Sequence, residues 1–132
     1  MKIYLMPHSS RREEDFVTLK NFIHYLEHTL PNDEQYIYRN DQICEPGLFI
    51  MTFNKLIVGE FSVLKRLDSC LNRSDYNYEY EVKPNSIKIY DYPVQFYDFK
   101  QKIQLKASST NYRPIINKDD YQTLLKMTQV SK

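Results

Sequence analysis

Residues 47–65, GLFIMTFNKLIVGEFSVLK, contain two apolar runs joined by Asn54 and Lys55, and neither run alternates between apolar and polar positions. A strand with one wet face alternates with period two, so these runs predict a hairpin covered on both faces. Asn54 tolerates the positive φ that a two-residue turn demands, and Gly59 inside the second run predicts a bulge or a close backbone approach. Upstream, residues 2–6 form a short apolar strand leading through Pro7, His8 and Ser9 into Ser10-Arg11-Arg12-Glu13, a capping box. Phe16, Leu19, Ile23, Leu26 and Leu30 follow at helical spacing, which predicts a helix ending at Pro31. Residues 31–46 are mostly polar and are taken as a connection, although they carry the aromatic and basic cluster Tyr36-Ile37-Tyr38-Arg39-Asn40.

Beyond residue 75, Tyr76, Tyr78, Tyr80 and Val82 alternate with Asn77, Glu79, Glu81 and Lys83, as in a strand with one face buried. Pro84 and Asn85 turn it into a further strand over residues 86–90. The aromatics of Gln95-Phe96-Tyr97-Asp98-Phe99 fasten a short helical segment, and Asn117 caps a last helix whose Tyr121, Leu124 and Leu125 face inward. The order predicts a single α+β domain over residues 1–132, built on a small curled antiparallel β-barrel with flanking helices.

Composition narrows the chemistry. The 18 Lys and Arg nearly balance 17 Asp and Glu, and the formal charge of +1 provides no whole-molecule attraction for polyanions. A nucleic-acid site therefore has to be local. Two glycines are too few for a phosphate-cradling loop or a nucleophile elbow, each of which needs several in one short segment. Cys44 and Cys70 form no C-x-x-C pair, no signal-peptide pattern opens the chain, and no apolar run is long enough to span a bilayer. These features predict a cytoplasmic protein with free thiols, in which the Asn72-Arg73-Ser74 sequon is coincidental.

Candidate chemistry is confined to a few places. His24-Tyr25-Leu26-Glu27-His28 matches the H-x-x-E-H zinc-peptidase pattern, yet both histidines point away from the apolar stripe and no later helix offers a third ligand. No catalytic residue, metal site or cofactor is expected. His8, Ser9 and Ser10 lie where a strand meets a helix N-terminus, which favours capping for Ser10 and leaves His8 and Ser9 open to a ligand. Tyr38-Arg39-Asn40 offers a stacking face, a guanidinium for phosphate and an amide for a base edge, while a tyrosine plugged into the core explains the same residues. Tyr112-Arg113 poses the same alternatives. Tyr76 to Tyr80 suit a core better than a platform.

Four stretches taken in order, KIYLMPHSS, YRNDQICEPGLFIMTFNKLIVGEFSVLK, SIKIYDYPVQFYDFK and NYRPIINKDDYQTLL, resemble the EVE-type branch of the PUA-like superfamily, to which YTH and ASCH domains also belong. The resemblance implies a small barrel whose mouth holds a nucleotide base, commonly a modified one, and a role as the specificity part of a bacterial restriction or defence system beside a nuclease or motor. Arg39 and Asn40 match the Arg-Asn pair near the pocket of that family, and His8 to Ser10 fall on its pocket segment. Tyr38 and Tyr112 are added from chemistry, and Arg113 as a phosphate contact. With no tryptophan in the chain, a base cage has to come from Tyr, Phe or His. The expected partner is nucleic acid, modified DNA before RNA, with no membrane. A stand-alone RNA-binding protein and a protein-interaction module without a base pocket are the other readings.

Overall fold

The computed structural model describes residues 2–8, 18–33, 35–38, 45–67, 78–103 and 115–129. Strand β1 (Lys2–His8) is followed by helix α1 (Leu19–His24), which continues through a π-helical turn (Tyr25–Thr29) into α2 (Leu30–Asp33). Strands β2 (Gln35–Tyr38), β3 (Gly47–Phe53), β4 (Leu56–Leu67), β5 (Tyr78–Val82) and β6 (Lys88–Gln95) come next. Helix α3 (Phe96–Ile103), strand β7 (Ile115–Ile116) and helix α4 (Lys118–Met127) complete the order.

The hairpin is present and is the centre of the sheet. Asn54 and Lys55 adopt φ of 47° and 69°, the paired positive values of a twist-matched two-residue turn. Every residue of β3 is buried. Phe49, Met51 and Phe53 join one apolar cluster with Phe22, Leu26, Tyr36, Phe61 and Tyr80. Leu48 and Ile50 join a second, opposite cluster with Tyr90, Val94, Phe99 and Leu124. Helices thus cover both faces, α1 with α2 on the first and α3 with α4 on the second, which explains why the two runs lack alternation.

Neither an antiparallel nor a closed sheet is observed. The sheet has seven strands in the order β2-β5-β4-β3-β1-β7, with β6 also on β4, and among the described residues no ladder joins its two ends. The β1–β3 pair is parallel, Ile3 opposite Leu48 and Met6 opposite Met51. Parallel pairing needs a long crossover, and the connection through α1, α2 and β2 supplies one. The curl is real nonetheless: His8 at the end of β1 hydrogen-bonds Tyr36 of β2, four places away in strand order. The expected barrel is an α+β fold with a curled, open, mixed sheet.

Other departures have local causes. Residues 35–38, taken as part of a connection, form β2, which pairs with β5 in the register Tyr36 to Tyr80. The described helix is capped by Thr18, whose hydroxyl accepts from the Asn21 amide at 3.2 Å, while the Ser10 box and Phe16 lie outside the described residues. Its buried line is Phe22, Leu26 and Leu30, with Leu19 and Ile23 half-buried against it. Pro31 does not end the helix. A proline inside an α-helix clashes with the carbonyl one turn back, but the turn before it is widened, the Leu30 amide donating to Tyr25, which relieves that conflict.

Gly59 meets both expectations placed on it. The β3–β4 register slips so that Met51 pairs with Gly59 and Thr52 with Ile57, and the β4–β6 register slips at the same place. A Cβ at Gly59 would stand 2.6 Å from the Lys88 carbonyl oxygen, a backbone atom that cannot yield cheaply. Gly59→Ala is expected to cost about 1–3 kcal/mol, seen in urea melts as a lower midpoint at unchanged slope. An unchanged midpoint would mean that β6 moves aside freely.

The remaining turns and helices follow the sequence. Asn85 has φ of 62° and the Ser86 amide donates to the Lys83 carbonyl at 3.3 Å, a turn with Pro84 at its second position. Asn117 caps α4 by accepting from the Asp120 amide at 2.7 Å. No described helix is long and apolar enough to cross a membrane.

Candidate functional site

His8 ends β1 on the face that carries Tyr4 and Met6, and its ring is buried. Nδ1 lies 3.1 Å from the Thr52 carbonyl oxygen, which can only accept, so Nδ1 carries the proton. Nε2 is then a lone pair, and the Tyr36 hydroxyl 2.6 Å away donates to it. That tautomer follows from the network. Phe22 packs against the imidazole with ring centres 4.9 Å apart, and Tyr36 presents its edge at 5.8 Å. Burial pushes the imidazole down to about 4, against a smaller opposing effect of its bonds to backbone carbonyls. The ring is neutral at physiological pH.

Beneath this pair the concave face is aromatic. Tyr36 lies 6.0 Å from Phe49, 5.2 Å from Phe61 and 6.3 Å from Tyr80, centre to centre. Tyr80 is core, as its alternating position implied. Tyr76 lies outside the described residues.

Strand β1 meets a flank of each candidate segment. His8 directly precedes Ser9 and Ser10, and Tyr36, bonded to His8, lies two residues before Tyr38 and so just ahead of Arg39 and Asn40. On the other side of that segment, the Glu45 amide donates to the Tyr4 hydroxyl at 3.0 Å. Ile115 and Ile116, which follow Tyr112 and Arg113, pair with Tyr4 and Ile3. Tyr38 closes β2. Ser9, Ser10, Arg39, Asn40, Tyr112 and Arg113 lie outside the described residues, as do Cys44 and Cys70.

A second polar cluster occupies the opposite face. Tyr90 donates its hydroxyl to Glu60 Oε1 at 2.8 Å, and Tyr121 donates to the same carboxylate at 2.8 and 2.9 Å. Burial first, and the neighbouring Glu60 carboxylate after it, push both phenols above their ordinary range. Glu60 thereby ties β6 and α4 to β4, a positioning role. Sequence reasoning placed Glu60 only within the second apolar run and did not mark it as a polar anchor. It also missed Tyr36 and Thr52 as partners of His8. For Tyr36 a signal existed, since a tyrosine two residues before Tyr38 shares its face in any strand.

No protein-family model matches the chain, and no curated protein sequence matches it. Solved structures do match along nearly its whole length. ASCH from Zymomonas mobilis is 6% identical, covering 96% of this chain and 95% of its own, with a TM-score of 0.59. Protein Atu2648 from Agrobacterium tumefaciens is 11% identical over 98% of this chain and 94% of its own, with a TM-score of 0.61. Human THYN1, solved in complex with 5-methylcytosine-containing DNA, is 9% identical over 100% of both chains, with a TM-score of 0.65. At such identities the likeness shows the fold alone: the chain shares the architecture of these ASCH and THYN1 structures.

Proposed function

We propose that the chain is a nucleic-acid-binding module that reads a modified base, methylated or hydroxymethylated, in DNA. The observation that carries this reading is the convergence on β1: a flank of each of the three candidate segments bonds to, pairs with or directly continues that strand. The complex of the similarly folded THYN1 with 5-methylcytosine-containing DNA supports the same class of ligand. In this reading Tyr38 and Tyr112 stack a flipped or unpaired base, worth about 1–3 kcal/mol per base. Asn40, or Ser9 or Ser10, reads the base edge, and Arg39 and Arg113 hold flanking phosphates. His8 acts one step back, holding Tyr36 and with it β2. Nothing in this assignment cuts DNA, so the module serves as the specificity part of a restriction or defence system beside a nuclease or motor.

The test is a fluorescence-anisotropy titration at fixed low salt with matched probes: plain, 5-methylcytosine and N6-methyladenine DNA, and an RNA counterpart. A modified probe is expected to bind at least tenfold more tightly than plain DNA, about 1.4 kcal/mol. Preference for RNA would replace this reading with an RNA-binding one. No binding to any probe would leave a protein-interaction module.

A further inference from the structure

The H-x-x-E-H pattern, set aside in the sequence for want of a third ligand, coincides with the π-helical turn. We propose that His24 and His28 form a bidentate surface chelate for a late divalent transition-metal ion, Ni²⁺, Cu²⁺ or Zn²⁺, because that turn brings their two exposed imidazoles together. Their ring centres are 4.7 Å apart with planes inclined at 42°. Four residues of regular α-helix rise about 6 Å. A wider turn fits more residues into each revolution and shortens that rise. The widening is fixed in the backbone by the Leu30 amide, which donates to Tyr25, immediately before Pro31.

The donor chemistry suits the ion. Two nitrogens each about 2.0–2.1 Å from a tetrahedral zinc lie about 3.4 Å apart, which rings spaced this way can reach by rotation about their own side-chain bonds. Imidazole is a preferred ligand of zinc, copper and nickel, and affinity at such a site rises from nickel to copper. Among the described residues no group of three or more His, Cys, Asp or Glu could hold a metal. Among the described residues the pair thus has no third protein ligand, and the proposed site is a two-imidazole chelate whose remaining positions are open to water. Of the chain's 3 histidines the remaining one, His8, is buried with both ring nitrogens engaged. The pair thus supplies the accessible imidazoles.

The experiment is calorimetric titration of the full chain with NiCl₂ and ZnCl₂, its thiols alkylated beforehand, beside thermal melts with and without metal. One ion is expected to bind per chain and to raise the melting temperature. His24→Ala and His28→Ala, both at exposed positions and checked by circular dichroism, are each expected to weaken binding by about tenfold or more, since the second imidazole binds intramolecularly. A loss of only about twofold in each variant would mean two independent imidazoles and would overturn the chelate. So would the absence of binding at millimolar metal, or binding that is seen only while the cysteines are free.

Discussion

Lowering the pH from 7 to 5 is expected to remove about 2 kcal/mol of unfolding free energy through His8 alone. The buried ring titrates at about 4, against 6.5 for an ordinary histidine. Between those values the unfolded chain takes up a proton that the native chain refuses. Stability contributed by the neutral ring is complete above 6.5, falls as the pH drops below it, and stops falling near 4, for a full swing of about 3 kcal/mol. Urea melts at pH 7 and pH 5 measure the loss directly. Carboxylates titrate over the same range, so the informative quantity is the difference between wild type and His8→Gln, whose amide can donate to Thr52 and accept from Tyr36. The variant is expected to lose much less stability on acidification. Equal losses in both proteins would show that another group carries the effect. Tyr36→Phe separates the bond from the burial: it removes the hydroxyl that donates to Nε2 and costs about 1–3 kcal/mol at pH 7, yet it keeps the acid slope because the ring stays buried.

The second large effect concerns recognition. If Asn40 is the residue that reads the base edge in the proposed function, Asn40→Ala is expected to erase most of the preference for a modified base, about 1–3 kcal/mol of discrimination, while leaving affinity for plain DNA nearly intact. Arg39→Ala is expected to weaken plain and modified probes alike and to reduce the slope of log K against log salt by about 0.9, one phosphate contact. Anisotropy titrations of both variants at three salt concentrations distinguish the two roles. If Asn40→Ala weakened every probe equally and Arg39→Ala left the salt slope unchanged, the reading surface would have to lie elsewhere on the domain.

How much of this was legible in the sequence depends on the range of the interaction involved. The β3–β4 hairpin was, because Asn54, the two apolar runs and Gly59 each report a local backbone requirement. The Asn117 cap and the inward Leu124 were legible for the same reason. Strand β2 was not, because it is formed by its partner β5 and not by its own four residues. The parallel placement of β1 beside β3 is likewise a tertiary choice. In the first helix the wheel assumed a regular turn, and the π-helical segment after His24 disturbs that spacing, so Phe22 was missed as the fully buried aromatic. At the candidate site the sequence marked His8 but could not reveal that Thr52 and Tyr36 occupy both ring nitrogens, since those partners lie 44 and 28 residues away.

The open ends of the sheet have a consequence for how the molecule meets copies of itself. A sheet that does not close leaves unpaired amides and carbonyls along its terminal strands, and such edges template the addition of strands from other chains. Here three strands have a ladder partner on one side alone among the described residues: β2, β6 and β7, which are 4, 8 and 2 residues long. The most apolar strand, β3, lies between β1 and β4, and residues 56–60 of β4 lie between β3 and β6. The fold thus keeps its most apolar strand in the interior; two of these edges are protected by brevity, and the longer β6 by Pro93, which offers no amide, and by the Tyr92 amide, which already donates to the Thr128 carbonyl.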